Sequence, residues 1–245
     1  MHARRSSPIR PSVILLDALG TLVALEPPAP RLRTELADRC GLQVTEAQAG
    51  AAIAAEIAYY RAHLDEGRDP AGLHALRRRC AEALQAALPA GARRLELDHV
   101  LEALLASLRF TAFADVRPAL QDARARGQRL VVVSNWDVSL HDVLRALGLE
   151  PLLDAILTSA EAGVRKPAPA IFEQALALAA AGTPEAIEPG EAIHVGDSLE
   201  EDVAGARAAG IEPVLVRRDG GAPVAGVRMI ESLSELESLA LPGPP

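Results

Sequence analysis

The sequence predicts a doubly wound, Rossmann-like parallel α/β sheet with an all-helical segment inserted after its first strand. Three observations carry this expectation. Apolar runs recur that are short and mostly β-branched, helical patterns alternate with them, and from about Glu26 to Phe110 no strand-like run occurs. The runs are Val13–Leu16, Leu130–Val133, Ala155–Leu157, Ala192–Val195 and Pro213–Val216. They do not alternate polar with apolar, which is the pattern of strands covered on both faces. Val138–Leu147, Ala168–Ala180 and Asp202–Ala209 read as connecting helices, the first and third closed by Gly148 and Gly210. Strand and helix in repetition specify a doubly wound sheet, whose ligands gather at the carboxyl ends of its strands. Asp17, Ser134 and Asp197 all fall at or just beyond such ends.

Pro27-Pro28-Ala29-Pro30 punctuates the exit from the first strand, and helical spacing follows at Arg31–Cys40, Thr45–Leu64, Pro70–Leu88 and Asp98–Leu108. Thr45 with Gln48 forms a capping-box pattern, and Asp69-Pro70 supplies an N-cap and a first-turn proline. Ile53, Ile57, Tyr60 and Leu64 recur at helical spacing, so Tyr59 and Tyr60 read as partial core rather than substrate contacts. The expected organisation is a core of residues 12–25 and 111–238 around a helical domain of residues 26–110. Only the terminal "LPGPP" reads as disordered.

Composition narrows the function. The chain has 245 residues, 49% of them hydrophobic, enough for a sizeable core, but only 2% aromatic, so Ala, Leu and Val must fill it. A net charge of −8 argues against a nucleic-acid or anionic-membrane surface. The basic start, "MHARRSSPIRP", lacks the apolar stretch of a secretory signal, and no run reaches membrane-spanning length. Cys40 and Cys80 form no metal-ligand pattern and read as reduced thiols, so a cytoplasmic location is expected. Of 25 Lys plus Arg residues, Lys166 alone is lysine. A site that needs a compact ammonium on a flexible stem accounts for that exception, because guanidinium does not replace it there.

The chemistry-bearing residues lie in four stretches. Residues 13–23, "VILLDALGTLV", run an apolar strand into Asp17 and a Gly20-Thr21 turn; taken alone, such an aspartate reads as a turn former or a helix cap. Ser134-Asn135 ends a second strand, Lys166-Pro167 precedes a helix, and "GDSLEED" starts at Gly196 after another strand. Glu200 and Glu201 fit the first turn of a helix, where acids are favourable by a few tenths of a kcal/mol.

In this order and strand context, the four stretches resemble the haloacid dehalogenase (HAD) superfamily of aspartate-nucleophile hydrolases, in the group with a helical cap inserted after the first motif. The resemblance implies that Asp17 is the nucleophile and that Mg²⁺ is bound by Asp17, Asp197 and the backbone carbonyl of Leu19. Asp202 would lie in the first or second shell of that ion. It further implies that Ser134 and the backbone near Leu19 and Asn135 bind a transferring phosphoryl group, and that Lys166 neutralises charge on nucleophile and phosphate. The implied substrate is a small phosphorylated molecule, taken by a monomer or homodimer.

Leu19 departs from the pattern. Phosphatases of this superfamily carry at that position an aspartate that protonates the leaving group and activates water. General acid–base catalysis is worth about 10²–10⁴-fold, so the sequence predicts slow hydrolysis of alkyl phosphates. Three readings follow. One is a Mg²⁺-dependent hydrolase, weak or specialised for leaving groups that need no proton. Another is a non-catalytic protein that binds a phosphorylated ligand. The last is a 2-haloacid dehalogenase, whose halide also leaves without a proton. That chemistry uses no metal and has serine and asparagine where this chain has Gly196-Asp197; Arg61 after Tyr59-Tyr60 is its one echo in the insert. A phosphonate-cleaving mechanism needs a cap lysine, and the insert has none.

Overall fold

The computed structural model describes residues 10–182, 186–239 and 241. Most of the basic amino-terminal stretch and of the "LPGPP" tail lies outside them. The chain divides into two compact units.

Among the described residues, the first unit comprises those up to Ala24, Ala112–Asn135 and those from His141 onward. Its centre is a six-stranded parallel sheet in the order β5-β4-β1-β6-β7-β8. The strands are β1 (Val13–Leu16), β4 (Arg129–Ser134), β5 (Ala155–Thr158), β6 (Ala192–Gly196), β7 (Glu212–Val216) and β8 (Arg228–Ile230). The chain builds outward from β1 through β4 to β5, then returns to the other side of β1 with β6. This reversal opens the crevice where such sheets bind ligands, and β1, β4 and β6 end there. Val13, Leu15, Val131, Val133 and Ala192 form one buried cluster with Ile171, Phe172 and Ala175 of α8 (Pro169–Ala179) and Ala206 of α9 (Gly205–Ala208). The alternate residues Ile14, Leu16, Leu130 and Val132 are buried too, as the non-alternating runs require. Each such side chain contributes about 1.5–3 kcal/mol. Helix α5 (Val116–Ala125) also packs on β4, burying Val116, Ala119, Leu120 and Ala123. The remaining helices of this unit are α6 (Leu140–Ala146), which starts in the other unit's last residue, and the short α7 (Ser159–Ala162).

The second unit, Leu25–Thr111 with Trp136–Leu140, is helical: α1 (Pro28–Cys40), α2 (Glu46–His63), α3 (Pro70–Ala87) and α4 (Leu97–Ser107). The chain passes between the units through a two-stranded ribbon, β2 (Val23–Leu25) and β3 (Phe110–Ala112). The capping box of Thr45 and Gln48 and the Asp69 cap are both formed. Leu32, Leu36, Leu76, Leu84 and Leu104 build its core, with Tyr59 and Tyr60 packed partly against it.

Two helices differ from the sequence expectation. Helix α6 begins at Leu140, not Val138. Asp137 accepts from the Ser139 amide at 2.7 Å and Val138 donates to the Gly67 carbonyl at 2.9 Å, so both backbone groups are spent outside a helix. The expected helix Asp202–Ala209 is instead a π-helical turn, Leu199–Ala204, that runs into α9. Gly148 and Gly210 do adopt left-handed backbones, φ 67° and 75°.

Candidate active site

The carboxyl ends of β1, β4 and β6 bring together residues distant in sequence. Asp17 follows β1, and the loop after it closes on itself. Leu22 and Val23 donate to the Ala18 carbonyl, and Gly20 donates to Val23 at 2.8 Å. Gly20 holds φ 82°, and a Cβ there would collide with the Asp197 carboxylate. The glycine thus permits both the turn and the approach of the second acid.

Ser134, the last residue of β4, donates its hydroxyl to Asp17 Oδ1 at 3.0 Å. The same oxygen accepts from Lys166 Nζ at 2.7 Å. Both donors meet one oxygen, which leaves Asp17 Oδ2 open. Lys166 is 3% exposed and also donates to Asp202 Oδ1 at 2.5 Å. Its backbone is clamped: Asn135 Oδ1 accepts from Lys166 N at 2.8 Å, and Asn135 Nδ2 donates to the Lys166 carbonyl at 3.0 Å. The Asn135 side chain therefore locates Lys166, leaving only backbone groups of that residue to meet a ligand.

Asp197, Asp202 and Asp17 offer carboxylate oxygens within 4.8 Å of one another, the one such metal-competent cluster among the described residues. Burial raises Asp17 to about 6 against the pull of Lys166, with Asp202 and Asp197 adding repulsion. Burial, then Asp202, raises Asp197 as well. Burial also opposes charge on Asp202, but Lys166 and His194 outweigh it and hold that carboxyl well below the usual range. Lys166 is raised despite burial, because Asp17 and Asp202 both favour its charge. Three acids thus face one ammonium.

Leu19, on the loop after Asp17, is 39% exposed, and Leu199, which opens the π-helical turn after Asp197, is 42% exposed. Sequence reasoning missed His194, wholly buried in β6, whose Nε2 lies 2.8 Å from Asp202 Oδ1. The signal was present: a histidine inside the apolar run that leads to Gly196-Asp197.

The fold and this site define an α/β protein that gathers three acids and one lysine at the carboxyl ends of its strands. The haloacid dehalogenase-like hydrolase family matches residues 11–210, and the chain belongs to that family. It is 45% identical over 97 residues to haloacid dehalogenase-like hydrolase domain-containing protein 3 of Bos taurus, 40% of this chain and 36% of that relative. The match therefore spans little more than a third of that relative's length. Identity to phosphatase MT3486 of Mycobacterium tuberculosis is 32% over 151 residues, 59% of this chain and 66% of that one. Among solved structures, a HAD phosphatase from Thermococcus onnurineus superposes with a TM-score of 0.63 at 24% identity, covering 93% of this chain and 96% of that one. A 2-haloacid dehalogenase from Pseudomonas syringae pv. Tomato DC3000 also gives 0.63, at 26% identity over 94% and 97%. Fold similarity therefore does not separate the two chemistries. Within this chain no described helix is long and apolar enough to cross a membrane.

Proposed function

We propose that the protein is a Mg²⁺-dependent phosphohydrolase with Asp17 as nucleophile, suited to small phosphorylated substrates whose leaving group departs without a proton. The observation that carries this reading is the contact set at Asp17. Ser134 and Lys166 fix one carboxylate oxygen, the other is open, and two further acids stand within metal-binding reach. The donor set suits Mg²⁺, a hard cation that takes oxygen ligands and few protein carboxylates. Asp17 and Asp197, with the Leu19 carbonyl, would hold it. Asp202 would serve from the second shell, since its Oδ1 accepts from Lys166 and its Oδ2 from Ser198 N at 2.9 Å. The charge balance also suits a cation, for burial and neighbouring acids raise Asp17 to about 6. Bound there, Mg²⁺ supplies the positive charge that offsets repulsion between carboxylate and phosphate.

Asp17 Oδ2 attacks phosphorus while Lys166 and Ser134 keep the other oxygen in place. Ser134 and backbone N–H groups near Leu19 and Asn135 donate to the phosphoryl oxygens, and Lys166 offsets the charge that develops on them. Leu19 can neither protonate the departing oxygen nor activate water for the second step. Aryl and acyl phosphates expel an aryloxide or a carboxylate that is stable as an anion, and so escape the first deficit. The phosphatase name of the mycobacterial relative supports a phosphate substrate, and Asp197 and Asp202 argue against metal-free dehalogenation. A non-catalytic phospho-ligand binder is the second reading, favoured by Leu19 alone.

The test is a leaving-group series, aryl to alkyl phosphates, with the native protein and Leu19→Asp. The native rate is expected to fall steeply as leaving-group pKa rises. Leu19→Asp is expected to recover part of the roughly 10²–10⁴-fold that acid–base catalysis supplies, mostly on alkyl esters. The partial exposure of Leu19 allows the new carboxylate to remain hydrated. Fast, leaving-group-independent turnover by the native protein would refute the reading, and no turnover on any ester would favour the binder.

A further inference from the structure

His194 stands in β6, hydrogen-bonded between β1 and β7, and none of it reaches solvent. Its surroundings are otherwise apolar: Ala192 precedes it on the same face, and the Phe172 ring meets the imidazole edge-on, with centroids 5.0 Å apart. A leucine would suit that place. An imidazole there must give up the hydration of two ring nitrogens, and only one is compensated. Nε2 lies 2.8 Å from Asp202 Oδ1, while the buried Nδ1 has no partner. An ionised carboxylate only accepts, so the contact assigns the proton to Nε2.

That hydrogen bond lands on a carboxylate that holds two others. Asp202 Oδ1 also accepts from Lys166 Nζ at 2.5 Å, and Oδ2 accepts from Ser198 N at 2.9 Å. Gly196 makes room for this arrangement, since a Cβ at that position would collide with the Asp202 side chain. Lys166 in turn donates to Asp17 Oδ1 at 2.7 Å. A continuous, charge-assisted series therefore runs from a core strand to the nucleophile. Without the imidazole, Asp202 could turn about its side-chain bonds, and the flexible Lys166 stem would follow it.

We propose that His194 is a positioning residue: by fixing the Asp202 carboxylate it sets the Lys166 ammonium against Asp17. The catalytic consequence rests on the phosphohydrolase reading, whereas the positioning does not.

The chain's single lysine makes the test direct. Protein labelled with ¹⁵N at lysine Nζ carries one side-chain ammonium probe, and it reports Lys166 whether or not any substrate turns over. The wild type is expected to give one protected ammonium resonance. His194→Gln, which can present an N–H at similar reach, is expected to keep it. His194→Leu, which fills the space without a donor, is expected to shift it or lose it to solvent exchange. His194→Met serves if the leucine variant folds poorly. On an aryl phosphate, the leucine variant is expected to lose about ten- to a hundred-fold in kcat, the scale of a hydrogen bond to a charged group, with little change in KM and recovery in the glutamine variant. A lysine resonance unchanged in the leucine or methionine variant would overturn the proposal, as would a glutamine variant that behaves like leucine. Absence of phosphatase activity alongside the expected resonance pattern would count against the phosphohydrolase reading alone.

Discussion

Replacing Lys166 by methionine, which keeps the length and removes the charge, perturbs the site at its most connected point. The side chain is 1% exposed and bridges Asp17 and Asp202. Its loss leaves two buried carboxylates facing each other, and breaking a buried pair in this way costs about 3–5 kcal/mol. Asp17 can limit that loss by taking a proton. With Lys166 present Asp17 is already raised to about 6 from 3.8, and without it the value must rise further. The native state then binds a proton more tightly than the unfolded chain. The stability held below about pH 4 is lost as pH rises through the native value. Urea unfolding of metal-free Lys166→Met at pH 5 and pH 8 is expected to show the larger deficit at pH 8. Turnover on an aryl phosphate is expected to fall about 10²–10³-fold, the scale of removing an electrostatic donor. Lys166→Arg keeps the charge but brings a planar fork to a place packed for a point charge, and is expected to fail almost as badly. An arginine variant with near-native turnover, or a methionine variant as stable as the parent at pH 8, would refute this account of Lys166.

Mg²⁺ is expected to raise the melting temperature in the absence of substrate, by preferential binding to the folded state, and Asp197→Asn to abolish that rise. A rise that survives in Asp197→Asn would move the ion elsewhere. In the helical unit, Glu56 is 5% exposed, and burial raises it from 4.5 to about 7 against a smaller lowering by the Cys80 thiol. Its contribution to stability is full below about pH 4.5 and lost as pH rises through 7, so Glu56→Gln is expected to stabilise the protein at pH 8 by roughly 1–3 kcal/mol and to do little at pH 4. Thermal unfolding across that range checks it, and equal effects at both ends would contradict it.

The sequence was most legible where one physical demand dominated. Strands buried on both faces must be apolar throughout, so Val13–Leu16 and Ala192–Gly196 stand out. Helix α5 is not among the expected helices, although Val116, Ala119, Leu120 and Ala123 have helical spacing, and β8 is three residues long, too short for a pattern. Trp136–Leu140 packs with the helical unit through Gly67 and Tyr60, a long-range pairing with no local signature. At the site, Asp17 and Asp197 stand at strand ends, whereas Asp202, inside the turn Leu199–Ala204, was indicated only by the family resemblance. The paired contacts of Asn135 with the Lys166 backbone and the three donors on Asp202 span 31 and up to 36 residues of chain. Residue types allow such contacts, but only the fold selects them.

The central claim is that Asp17 attacks the phosphoryl group, and trapping the product of that attack tests it most directly. Native protein mixed with Mg²⁺ and an aryl phosphate, quenched in acid and digested, is expected to yield the Asp17 peptide heavier by one phosphoryl group. The adduct is expected to accumulate, because Leu19 activates no water for its breakdown, and to be absent from Asp17→Asn. Turnover that continues in Asp17→Asn, with no adduct on the native peptide, would contradict the account.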